Sequence, residues 1–213
     1  MRAEWLPLSK PRRLVCDLLH FAASVPSVPV QRRMSLGCLV EARDSVGCRP
    51  SWTAIFAKAY AIVANEIPEL RRAYVKWPWS HLVEYPSSVA AITFERDFEG
   101  ERAVLVGRVK SPDCLPLMEL TELIRVFRED PVMGRKDFRR ALRVAGWPRL
   151  IRRAAWWYGL NSGRQRVRFF GTFGVSVYSA LGAESLHPLT PLTAVLNYGV
   201  ISADGTVDVR LTY

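Results

Sequence analysis

The chain has 213 residues, of which 49% are hydrophobic and 23% charged. That is enough to bury most of the unfolded surface around a core without disulfides, and it excludes a disordered or collagen-like polymer. No apolar run approaches the roughly 20 residues of a membrane span, and residues 1–25 carry Asp17 and His20 in place of a leader's apolar stretch, so the expected location is the cytoplasm.

In chain order, Leu14, Val15, Leu18, Leu19 and Ala22 fall at helical spacing and predict a helix over Pro11–Ser24, closed by Pro26 and Pro29. Val30–Ala42 reads as a strand of mixed polarity. Ser51–Glu66 is a strongly apolar helix that stops before Pro68, and its composition predicts burial on most sides. Ala73–Trp77, Ser88–Phe94 and Arg102–Val109 read as extended runs, with His81 in a loop between the first two. Asp97-Phe98-Glu99-Gly100 turns the last two into a hairpin. Leu115–Arg128 is an amphipathic helix. After a basic helical region come three strands, Arg168–Val177, Thr193–Val200 and Thr206–Tyr213, with Asp204-Gly205 as a tight turn between the last two. No internal repeat or linker interrupts the pattern, so the expectation is a single α/β domain over 1–213 with a mostly antiparallel or mixed sheet. Cys16, Cys38, Cys48 and Cys114 show no metal-binding spacing and read as reduced, mostly buried thiols.

The formal charge of +10 is concentrated. Between Arg135 and Arg168 lie eleven Lys or Arg against Asp137 alone, and the rest of the chain sums to zero. Gly146-Trp147-Pro148 divides this segment into two helices, because proline is tolerated in a first turn and not in an interior. In the second helix, ended by Asn161-Ser162-Gly163, helical spacing sets Leu150, Ile151, Ala154, Ala155, Trp157 and Tyr158 on one face and Arg149, Arg152 and Arg153 on the other. Three readings stay open: a helix covering a sheet with its arginines in water, a helix lying on an anionic membrane, or one holding another polyanion. Trp156, Trp157 and Tyr158 favour lipid over nucleic acid, since no matching strand pattern supplies a base-stacking sheet. Arg149, Arg152, Arg153, Trp156 and Trp157 are therefore the candidate membrane or polyanion surface.

Chemistry at neutral pH needs a base, and the chain offers His20, His81 and His187. His20 and His81 read as packing and loop residues. His187 sits in a rigid turn, Leu186-His187-Pro188-Leu189-Thr190-Pro191, where a polar role in a pocket is open to it. No nucleophile elbow, phosphate-binding glycine loop or metal-ligand spacing is present. Gly171-Thr172-Phe173-Gly174-Val175-Ser176 offers hydroxyl and amide donors to an oxyanion.

These pieces, in this order, resemble the catalytic domain of the dihydrolipoamide acyltransferases and of chloramphenicol acetyltransferase. Pro7-Leu8-Ser9-Lys10-Pro11-Arg12-Arg13 is similar to the family's opening Pro-Leu-Ser-x-x-Arg. Pro50-Ser51-Trp52-Thr53-Ala54-Ile55-Phe56-Ala57-Lys58-Ala59, continuing to Glu66-Ile67-Pro68-Glu69-Leu70-Arg71, follows its Lys-Ala helix and Pro-Glu-Leu-Asn turn. Gly171-Thr172-Phe173-Gly174-Val175-Ser176 resembles its Gly-Thr-Phe-Thr-Ile-Ser strand. The basic helical pair at about 135–168 departs from the pattern and reads as an insertion.

The resemblance implies a two-layer α/β sandwich, a mixed, largely antiparallel sheet backed by helices. It also implies homotrimers with sites between subunits, and an acyl thioester donor, coenzyme A or a carrier-bound arm such as that of an acyl carrier protein, with no metal. The family's base is the histidine of a His-x-x-x-Asp-Gly motif, assisted by a hydroxyl on the Gly-Thr-Phe strand. That makes Thr172 and Ser176 site candidates; His187 joins them from its rigid turn, although no matched motif positions it to replace the family's base. The motif is absent from this sequence, which ends at Tyr213 on the strand resembling the one that leads into it. Arg12 or Arg13, matching the residue that holds the motif's Asp, should then face solvent or another acid. Two readings follow: acyl transfer to a small or lipidic acceptor by a free-standing enzyme, or a non-catalytic trimeric scaffold that uses the basic helix.

Overall fold

Ser9 starts the first regular element. Its hydroxyl accepts from Arg12 N (3.3 Å) and Pro11 occupies the first turn, so helix α1 runs Lys10–Ala22 in a computed structural model that describes residues 5–177 and 189–213. Strand β1 (Pro29–Ser35) follows, shorter than the extended run expected to Ala42. Its ladder ends at the rung between Ser35 and Thr206, and beyond it Gly37–Ser45 closes into helix α2. A backbone without a partner strand must satisfy its amides locally, and a helix does so.

Helix α3 (Trp52–Glu66) is capped by Ser51, whose hydroxyl accepts from Ala54 N (3.1 Å). Its burial is one-sided: Thr53, Ala54, Phe56, Ala57, Tyr60, Ala61 and Ala64 are buried while Ile62 and Val63 face outward. Strands β2 (Arg72–Val75) and β3 (His81–Glu84) form a separate two-stranded ribbon, which places His81 in a strand and not in a loop. Strands β4 (Val89–Phe98) and β5 (Glu101–Lys110) form the long hairpin. Its turn narrows to Glu99 and Gly100, at φ of 52° and 81°, the two left-handed positions that match strand twist in a two-residue loop.

Helices α4 (Leu117–Glu129), α5 (Lys136–Ala145), α6 (Arg149–Asn161) and α7 (Gly163–Phe170) precede strand β6 (Phe173–Val177). The expected strand from Arg168 is thus helical at its start. Gly171, at φ 83°, makes the break, and a Cβ there would lie 2.7 Å from Val89 O. Strands β7 (Ala194–Tyr198) and β8 (Thr206–Thr212) complete a six-stranded sheet in the order β1-β8-β7-β6-β4-β5. β6 runs parallel to β4 and β7, and the other pairs are antiparallel.

The helices back one face of this sheet. Tyr60 of α3 stacks on Phe173 at 4.1 Å between centroids and Phe56 on Tyr198 at 4.3 Å. Phe94, Phe127 and Phe138 join β4, α4 and α5 in one aromatic cluster. The four cysteines, expected to be mostly buried, are all free and exposed. They sit on outer helix flanks and turns, where the core-facing positions belong to other residues.

Candidate functional site

Side chains alternate across a strand. Ile92, Phe94, Phe173 and Val175 turn to the helix-covered face of the sheet, so Thr93 and Ser176 share the opposite face. Thr93 Oγ1 donates to Ser176 Oγ at 3.0 Å, and to Val175 O at 3.3 Å. A hydroxyl has one proton and two lone pairs. Where Thr93 gives its proton to Ser176, the shorter of the two contacts, the Ser176 proton is available to a third group on this half-buried surface. The register continues the row through Asn197 of β7, Arg210 of β8 and Gln31 of β1, with Arg210 Nη2 donating to Gln31 Oε1 at 2.5 Å. The sequence nominated Ser176 and missed Thr93. A lone threonine between Ile92 and Phe94 in the apolar first half of β4 was the available signal.

Thr172 behaves differently. Its hydroxyl accepts from Val89 N (2.9 Å) and donates to Val89 O (3.3 Å), and its own amide donates to the same carbonyl at 2.9 Å. The side chain is buried and its one proton is used, so Thr172 clips the start of β6 to β4 and has no donor left for an oxyanion. His187 lies outside the described residues. His81 Nδ1 sits 2.7 Å from Trp79 O, and His20 is exposed on α1, edge-on to Phe21 at 5.0 Å. Arg12 does face solvent, with Glu101 at 3.4 Å, and Arg13 Nε donates to Leu8 O at 3.0 Å.

The basic helices are turned the other way from the periodicity argument. Asp17 of α1 is 0% exposed and accepts from both Arg152 Nε and Arg153 Nε, the latter at 2.8 Å. Arg152 is only 6% exposed. Trp156 stacks parallel on Phe21 at 6.0 Å and meets Phe170 at 5.0 Å. Arg152, Arg153 and Trp156 therefore form the inner face of α6 against α1 and α7. The outer face is Leu150, Ile151, Ala154, Trp157 and Tyr158, all exposed. The buried carboxylate pairs both guanidiniums, so neither is left desolvated without a partner, and periodicity along one helix carries no information about that partner. Arg166 is likewise buried, donating to Leu160 O (3.3 Å) and Pro191 O (2.5 Å), and burial lowers its pKa. Burial first, and then the neighbouring Arg168, Arg108 and Arg143 guanidiniums, also lower that of Arg140, which lies over the Phe169 ring at 4.2 Å.

No protein-family model matches the sequence, and no curated protein matches it. Solved structures do. Dihydrolipoamide acetyltransferase from Azotobacter vinelandii, studied for the roles of a serine, a histidine and an asparagine in its catalytic mechanism, aligns over 100% of this chain and 83% of its own, with a TM-score of 0.69 and 15% identity. A truncated catalytic core of the 2-oxoacid dehydrogenase multienzyme complex from Thermoplasma acidophilum aligns over 99% and 87%, at 0.68 and 16%. A chloramphenicol acetyltransferase aligns over 97% and 86%, at 0.52 and 14%. At these identities the shared property is the fold: the chain has the chloramphenicol acetyltransferase-like architecture.

Proposed function

We propose that the protein transfers an acyl group from a thioester donor, coenzyme A or a carrier-bound arm, to a small or lipidic acceptor. The Ser176 hydroxyl is the group that meets the developing oxyanion. The observation that carries this reading is the Thr93–Ser176 pair, in which the serine accepts and so keeps its own proton for a substrate, on the half-buried face of a fold shared with acetyltransferases. In the reaction, the acceptor's hydroxyl or thiol gives its proton to a base and attacks the thioester carbonyl. The oxyanion takes a hydrogen bond from Ser176, and collapse expels the thiolate, which recovers the proton. His187 is the proposed base.

We take the working form to be a homotrimer with sites between subunits, as the resemblance implies. Supporting it, Trp5 (97% exposed), Leu6 and Leu8 form an apolar segment exposed among the described residues, and β1 is exposed along its whole length.

The test is thiol release from a panel of acyl-coenzyme A and carrier thioesters with thiol and alcohol acceptors, alongside sedimentation of the same sample. Ser176→Ala should lower kcat about 100- to 1,000-fold, and His187→Gln about 100- to 10,000-fold. Thr172→Val should instead lower stability. A trimer with no turnover on any donor would replace this reading with that of a non-catalytic scaffold.

A further inference from the structure

Helix α6 is built inside out. Arg152 and Arg153 point inward to Asp17 and Arg149 stands exposed in the first turn, while the outward stripe of the helix is apolar: Leu150 is 84% exposed, Ile151 56%, Tyr158 51% and Trp157 45%, with Ala154 between them. Trp147, just before the helix, is exposed as well. Contiguous apolar surface of this kind is rare on a free-standing soluble domain and marks a contact. The surroundings say what kind of contact. Residues 138–183 contain no Asp or Glu, and Asp137 is held by Arg108. Lys136, Arg143, Arg149, Arg164 and Arg168 are exposed on this helical layer and make no ion pair among the described residues.

We propose that the outward face of α6 docks on an anionic lipid surface. Leu150 and Ile151 enter the acyl boundary, Trp147, Trp157 and Tyr158 lie at headgroup depth, and the unpaired cations hold the lipid charge. A second copy of this chain fits poorly, because it would bring the same uncompensated cations together. An anionic bilayer supplies both complements, apolar depth and negative charge, and aromatic residues with polar tips are the residues that settle at its boundary. This surface differs from the one that periodicity suggested, in which Arg152 and Arg153 met the lipid. It is also independent of whether the sheet carries acyl transfer.

The experiment uses the full chain with phosphatidylcholine vesicles containing increasing phosphatidylserine, read by co-sedimentation and by quenching of tryptophan fluorescence with brominated lipid. Association should rise with phosphatidylserine and fall with salt. The Leu150→Ser/Ile151→Ser double variant should weaken it about tenfold or more while leaving the melting temperature unchanged, because neither side chain packs inside. Trp157→Phe should remove part of the quenching without loss of association, and Arg143→Ser/Arg149→Ser should reduce the dependence on phosphatidylserine. Absence of association, or association untouched by the Leu150/Ile151 double variant, overturns the proposal. So does a change of oligomeric state in that variant without a change in vesicle binding, or capture of an acidic carrier protein by the wild type where vesicles fail.

Discussion

At the scale of single residues, the largest electrostatic commitment in the protein is Asp17. It is fully buried, and two guanidiniums converge on it from a helix more than a hundred residues away in sequence. Removing one partner of a buried pair costs more than the pair contributes, because the remaining charge stays desolvated. Asp17→Ala should therefore destabilise the fold by about 3–5 kcal/mol, measured by urea unfolding. A loss no larger than that of an exposed ion pair, about 1 kcal/mol or less, would contradict the inward orientation of Arg152. Lys58 shows the same economy with neutral partners: its ammonium donates to Asp113 O (2.6 Å) and Leu115 O (2.7 Å), tying α3 to the turn before α4.

At the scale of elements, the sheet and its helices meet through glycine and aromatic pairs. A Cβ added to Gly107 of β5 would lie 2.7 Å from the Phe127 ring of α4. That ring is itself fixed against Phe94 at 5.5 Å and Phe138 at 5.7 Å, so it has no room to retreat. Gly107→Ala should cost about 1–3 kcal/mol, read as a shift in urea midpoint at unchanged slope. Ala substitution at Gly100, where nothing lies within 4 Å, bears only the strain of its left-handed backbone. Helix α6 shows the limit of element-level reading. Its residues obey a helical period, but which side of that period is buried depends on α1.

For the molecule as a whole, two phenols clamp α3 onto the sheet and link stability to alkaline pH. Burial pushes Tyr198 up to about 12, against a smaller lowering by its hydrogen bond to Thr53, and burial raises Tyr60 as well. Both folded values lie above the unfolded one near 10. Their contribution is thus complete below about pH 10 and is lost as pH rises through the interval to about 12. Phenolate absorbance followed together with circular dichroism should show two tyrosines ionising only as the fold is lost. Their ionisation near pH 10, with the fold intact, would remove the clamp.

What the sequence determined by itself is local. Apolar periods over Pro11–Ser24 and Ser51–Glu66 mark helices, Asp97-Phe98-Glu99-Gly100 and Asp204-Gly205 mark turns, and Gly146-Trp147-Pro148 marks a helix break. Each works through backbone groups a few residues apart, and the order of these pieces was enough to suggest the acyltransferase-like fold. The contacts between distant segments came only from the tertiary structure. Ser35 ends its strand because Thr206 is the last rung. Thr172 is occupied because Val89 lies beside it, Ser176 gains a donor because Thr93 does, and α6 turns Arg152 and Arg153 inward because Asp17 waits there. A side chain's burial and its free proton depend on neighbours that folding brings together, and no spacing along the chain encodes them.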